Sequence, residues 1–161
     1  MSGTSSGAAE ILGNVERGSD LWSVINTLDQ WGFTIADTRF SPDDVQFMQD
    51  MIAHHHQAVL MAALVKDRTN RQALIDVAGR IAASQADEIA FMRGWLGERG
   101  KPAPEPAAAH ATHQAGTMMG MATPEQMAAL AAANGPAFDR LFLERMIAHH
   151  EGAVKMVEKL L

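Results

Sequence analysis

Apolar residues recur at helical spacing in five stretches of the chain. Between Asp20 and Trp31 they are Leu21, Trp22, Ile25 and Leu28, a short amphipathic segment. Ser41-Pro42-Asp43-Asp44 opens the next. Serine can cap, proline fits the first turn, and two carboxylates complement the positive end of the helix dipole. That pattern predicts a helix from Pro42 to about Lys66. Another is predicted from about Arg71 to Leu96, stopped by Gly97 and Gly100. Thr123-Pro124-Glu125-Gln126 is a capping box that starts a helix ending at Asn134-Gly135. The last helix begins near Pro136 and continues to the chain end. No stretch alternates as a strand would, so the class is all-α, read as an antiparallel helical bundle.

Polar stretches set the boundaries. Residues 1–36 form a flexible N-terminal segment, Gly/Ser-rich over 1–18, with the one short helix, and residues 37–161 form the bundle domain. Within the domain, 42–98 is a first repeat, 99–123 a linker rich in Pro, Ala, Gly and His, and 124–161 a second, apparently incomplete repeat. The repeat is gapless. Asp44, Phe47, Met51, Ile52, Ala53, His54, His55, Ala58, Val59 and Met61 return 95 positions later as Asp139, Phe142, Met146, Ile147, Ala148, His149, His150, Ala153, Val154 and Met156. His56 is not repeated; Glu151 stands in its place.

A helix advances about 100° per residue. With Met51 at zero, His55 falls near about +40°, His54 near about −60° and Met61 near about −80°. The repeated histidines and methionines therefore share the core-facing arc, and His56 lies off it. The second copy places Met146, His149, His150 and Met156 on the same arc. Two such helices packed antiparallel would bring four imidazoles and several thioethers into one core.

Composition gives that arc a chemistry. The chain has 161 residues, eleven of them methionine and seven histidine, with no cysteine. Disulfides, thiolate zinc sites and thiol nucleophiles are thereby excluded. A net charge of −6 offers no footprint for nucleic acid or anionic lipid, and no apolar run is long enough for membrane insertion. Neutral imidazole and thioether are borderline-to-soft ligands, which suits copper, Cu(I) before Cu(II). Zinc or iron are alternatives that would use the histidines more than the methionines. Two readings of the arc stand side by side: a metal site, or a buried polar network in which methionine is core filler.

A second possible cluster lies in the linker, His110 and His113 followed by Met118, Met119 and Met121. It suits capture and handover of a soft metal, or is plain linker. On the second helix Glu88 interrupts a stripe of Ile81, Gln85, Met92 and Trp95. Glu88, with Met92 beside it, is a candidate for the outer support of a ligating imidazole, or sits at the bundle edge in water.

Three segments carry a family resemblance. Phe-Met-Gln-Asp-Met-Ile-Ala-His-His-His-Gln-Ala-Val-Leu-Met-Ala at 47–62, Gln-Ala-Asp-Glu-Ile-Ala-Phe-Met-Arg-Gly-Trp-Leu at 85–96 and Phe-Leu-Glu-Arg-Met-Ile-Ala-His-His-Glu-Gly-Ala-Val at 142–154 resemble the bacterial family named domain of unknown function 305. Gly-Met-Ala-Thr-Pro-Glu-Gln-Met-Ala-Ala-Leu at 120–130 is similar to its inter-repeat segment. The resemblance implies a ferritin-like four-helix bundle, exported to the periplasm or cell surface, with some relatives binding copper in copper resistance. Carried onto this chain, it implies Met51, His54, His55, Met61, Met146, His149, His150 and Met156 as metal ligands.

Two departures from the family shape the expectations. The second His-His helix is not followed by a counterpart of Arg71–Leu96, and no signal peptide opens the chain. An uncovered apolar face predicts a homodimer. The functional expectation is a copper-binding protein that buffers or delivers copper in the cell envelope, more a binder than an enzyme. The alternatives are a ferritin-like di-metal oxidoreductase, which would need inward Glu-x-x-His pairs that this chain lacks, and a structural or interaction bundle without metal.

Overall fold

The computed structural model describes residues 40–112 and 118–161, and of residues 110–112 the backbone alone. The loose segment at 1–36, the helix expected at Asp20–Trp31, and His113 lie outside the described residues, as does the side chain of His110. Five helices and no strands occur among the described residues: α1 Pro42–Val65, α2 Gln72–Glu98, α3 Pro106–Thr112, α4 Pro124–Ala132 and α5 Gly135–Leu160.

The starts of α1 and α4 follow from their caps. Ser41 accepts from the Asp44 amide and Asp44 accepts from the Ser41 amide. Thr123 and Gln126 make the same reciprocal pair. α2 ends where Gly100 takes a left-handed turn, φ +61°, and its amide returns to the Gly97 carbonyl. α3 falls inside the stretch read from sequence as irregular linker. It has no amphipathic period, but Pro106 followed by three alanines is a favourable first turn, and buried Ala109 ties it to the fold.

Among the described residues two apolar clusters make the core. The larger contains Ala58, Met61, Ala62 and Val65 of α1, Leu74 and Ala78 of α2, Leu130 of α4, and Phe138, Phe142 and Met146 of α5. The smaller contains Met51 and Ile52 of α1 with Ile89, Met92 and Leu96 of α2, and Met156 of α5 packs against it. The order in which each helix visits the clusters gives the directions. α1 runs from the small cluster to the large one, whereas α2 and α5 run from large to small, so both are antiparallel to α1. Between the clusters all three helices place polar side chains: His54, His55 and Gln57; Gln85 and Glu88; His149 and His150.

The duplicated faces differ in cover. α2 packs along α1 and buries Ile52 completely, while its counterpart Ile147 on α5 is 58% exposed. Leu143, Val154 and Val157 are also bare. Ile147, Leu143 and Val154, with Val77, Ile81 and Met146, line an open apolar groove of about 420 Å³ between α2 and α5.

Candidate functional site

The polar belt is where the repeats meet. His54 and His149 occupy equivalent positions on α1 and α5, and both are buried. Their ring centroids are 3.7 Å apart with planes tilted by 35°. Each ring is fixed by a carbonyl: His149 Nε2 lies 3.0 Å from the His54 carbonyl, and His54 Nε2 lies 3.1 Å from the Met119 carbonyl. A carbonyl only accepts, so Nε2 carries the proton in both. The Nδ1 of neutral His54 is then a lone pair, buried and without a hydrogen-bond partner among the described residues.

The outer histidines turn to α2. His55 Nε2 meets Glu88 Oε2 at 2.6 Å, and its Nδ1 is likewise buried and unpartnered among the described residues. Glu88 is held from its other side by the Ser84 hydroxyl at 2.7 Å. His150 donates through Nδ1 to the Met146 carbonyl at 2.8 Å, and its Nε2 is 3.5 Å from Gln85 Nε2.

Burial sets the charge state. Desolvation pulls His54 down to about 4, against the raising effect of its hydrogen bond to Met119. Desolvation, reinforced by the neighbouring His54, pulls His149 down to about 3. Two rings in contact cannot both carry charge without water between them, so the crossing is neutral at pH 7. His55 is also lowered by desolvation, with Glu88 opposing. For Glu88 desolvation pushes up, but the hydrogen bonds from Ser84 and His55 outweigh it and the carboxyl stays below its usual range.

A strap, residues 118–122, crosses this belt. Gln57, fully buried, makes two hydrogen bonds to the backbone of Ala122: its amide donates to the carbonyl at 2.9 Å, and its oxygen accepts from the amide at 2.7 Å. Met119 supplies the carbonyl for His54. On the other side the strap lies against α5, where a Cβ added to Gly152 would sit 2.0 Å from the Met119 carbonyl oxygen and 2.7 Å from Gly120 Cα. Gly120 itself has φ +79° and touches the backbone of α5. Gln57 and Gly152 are repeat equivalents, 95 positions apart. One position holds the strap by hydrogen bonds and its counterpart makes room for it.

The sequence-derived ligands separate into three places. Met61 and Met146 belong to the large cluster, Met51 and Met156 to the small one, and the histidines lie between. Met51 and Met61 are ten positions apart on α1, about 15 Å along the axis, so one ion cannot touch both. Met92 is core, buried beside Met51 and Ile52. Of the linker set, Met121 is buried, Met118 half-buried and Met119 exposed. Among the described residues no group of three or more His, Asp or Glu stands so as to hold a metal ion. The residues that sequence reasoning missed are Gln57, Gln85, Gly120 and Gly152. The signal for two of them was the exchange of the Gln57 amide for Gly152, between the repeated His-His and Ala-Val pairs.

The sequence profile described as domain of unknown function (DUF305) matches residues 44–161. The chain belongs to the DUF305 family. Two solved structures of DUF305 proteins resemble it closely. A presumed secreted DUF305 protein from Streptomyces coelicolor is 34% identical with a TM-score of 0.62, the match covering 72% of this chain and 71% of that one. A DUF305 fragment from Deinococcus radiodurans is 38% identical, also at 0.62, over 72% of this chain and 74% of that one. Among curated proteins there is no match. No helix among the described residues is long and apolar enough to cross a membrane.

Proposed function

We propose that this DUF305 chain binds a soft metal, Cu(I) foremost, at the histidine belt, and so buffers or delivers copper outside the cytoplasm. The observation that carries the reading is the state of His54. A ligating histidine characteristically donates its other N–H to a carbonyl or carboxylate, which fixes the tautomer and aims the free lone pair. His54 does this through the Met119 carbonyl, leaving a buried Nδ1 that is unpaired among the described residues. His55 has the same form with Glu88 as acceptor. The donors at hand are uncharged imidazoles with thioethers in the adjoining clusters, a set that suits Cu(I). Zinc prefers four nitrogen, thiolate or carboxylate donors, which the belt does not gather among the described residues. Iron in a di-metal oxidoreductase would call for several inward carboxylates, and Glu88 alone reaches a belt histidine among the described residues.

We read the helices as a ferritin-like bundle and the location as extracytoplasmic, in keeping with the presumed secreted relative. For the bare face of α5 we propose a second copy of the chain as cover. A monomer by light scattering at micromolar concentration refutes that part.

A second reading has its own support. Both Nε2 atoms of the crossing pair and both ends of Gln57 are satisfied by backbone, as in a polar layer that fixes helix register without any ion. Titration of metal-free protein with Cu(I), Cu(II), Zn(II) and Fe(II) against competing chelators separates the two. Tight Cu(I) binding that is lost in His54→Ala/His55→Ala supports the metal reading. Affinities no better than millimolar for every ion leave the layer as structure alone.

A further inference from the structure

The start of α1, the end of α5 and the strap enclose a groove of about 320 Å³. Its walls bring together three methionines from two elements, Met118 and Met119 of the strap and Met156 of α5. Core packing accounts for Met156 only in part, since it flanks the small cluster, and it does not account for the two strap methionines. Met119 is 43% exposed, and Met118 and Met156 are half-buried. The repeat supplies an internal control: Met61, the counterpart of Met156, is completely buried in the large apolar cluster. The same position is filler in one copy and opens onto a cavity in the other.

The remaining wall adds charge. Among the described residues, Asp43 and Asp50 of α1 line the groove together with one ammonium, Lys159. Those carboxylates are seven positions apart, about 10 Å along the helix, too far to chelate one hard cation between them. What they provide is a negative field that favours entry of a cation. Thioether sulfur is a soft ligand that carries no proton and selects for Cu(I) over calcium, magnesium or zinc.

We infer that this groove is a second, separate binding site, for a soft monovalent ion such as Cu(I) or Ag(I), with Met118, Met119 and Met156 as its ligands. The site stands on its own donors and does not depend on the histidine belt. It redistributes the methionines: Met156 leaves the set shared with the histidines, and Met121, buried on the strap, takes no part.

The test uses the full chain with its methionine methyl groups labelled with carbon-13, and Ag(I) as a probe that is stable in air. The methyl signals of Met118, Met119 and Met156 shift together and saturate at one equivalent, while those of Met61 and Met121 stay in place. Zn(II) moves none of the three. The volume-conserving triple variant Met118→Leu/Met119→Leu/Met156→Leu keeps its helix content and loses about tenfold or more in Ag(I) affinity at this site. In His55→Gln/His150→Gln, which leaves the His54 contact with the Met119 carbonyl in place, the three shifts persist. If that double variant abolishes them, or Ag(I) moves other methionines instead, or the triple variant binds as before, the groove is not the site. If the belt shows no copper affinity while the three methyls still respond, the belt reading falls and this one stands.

Discussion

α1 and α5 share ten residues at the same register, the His-His pair among them, yet they live in different surroundings. α1 is packed by α2 along one side, by α3 and the strap elsewhere, and by α5 across the belt. α5 shares the belt but leaves bare the face that α2 covers on α1. Ile52 is fully buried and Ile147 is 58% exposed. Burial is a property of position in the assembly, so a duplicated sequence does not guarantee a duplicated environment. The belt is the part that both copies keep; the flanks are where they diverge.

Acid should attack what the copies share, with the largest effect. His54 and His149 have folded values of about 4 and about 3 against an ordinary 6.5. The unfolded chain therefore binds more protons below pH 6.5, and stability falls as pH drops from there towards 3. The loss should reach several kcal/mol, because each tenfold difference in proton affinity between the folded and unfolded chain is worth about 1.4 kcal/mol. Above pH 7 it should be largely absent. Urea denaturation across this range measures it. A flat profile between pH 6.5 and 4 would mean the crossing rings are not held neutral.

The divergent flanks predict a difference between equivalent substitutions. Ile52→Ala opens a cavity in a closed face and should cost about 2–5 kcal/mol. In dilute protein, where the chain is alone, Ile147→Ala removes an exposed side chain and should cost within about 0.5 kcal/mol. Equal costs at high dilution would erase the contrast, whereas a cost at Ile147 that grows with protein concentration reports the second copy on α5.

The strap gives a smaller and sharper comparison. Gly152→Ala drives a methyl group into the Met119 carbonyl and should cost about 1–3 kcal/mol as the strap is displaced. Its repeat partner is tested by Gln57→Ala, which leaves the buried Ala122 amide and carbonyl without their partner and should cost about 1–3 kcal/mol. Paired thermal unfolding of the single and double variants reads the coupling. Simple additivity would show that the two positions do not act on one segment.

Much of this was legible in the chain. The caps at Ser41 and Thr123, the stops at Gly97 and Gly100, and the repeat all act locally or through period, and each left a mark in the sequence. The helical arc placed His54, His55, His149 and His150 near the core. The structure buries His54 and His149, half-buries His55 and leaves His150 exposed, because α2 covers this face on α1 and not on α5. The arc could not divide them, because 100° steps do not say which neighbour lies at which angle. Only the packing sends His54 to His149 and His55 to Glu88. α3 escaped because alanine carries helix propensity without amphipathic pattern. The strap escaped for a deeper reason: it is held by backbone carbonyls and one buried amide across 65 positions, interactions that have no periodicity.

One residue of that strap faces two ways. Met119 turns its carbonyl to His54 inside the belt and its side chain to the outer groove. Equilibrium linkage then imposes a symmetry that no contact shows directly. If an ion in the groove shifts the Met119 peptide and changes what His54 can hold by some factor, whatever His54 holds changes the groove's affinity by that same factor. A chain that fills its outer site from dilute solution and its inner site from the outer one would have its two occupancies tied together through a single peptide unit.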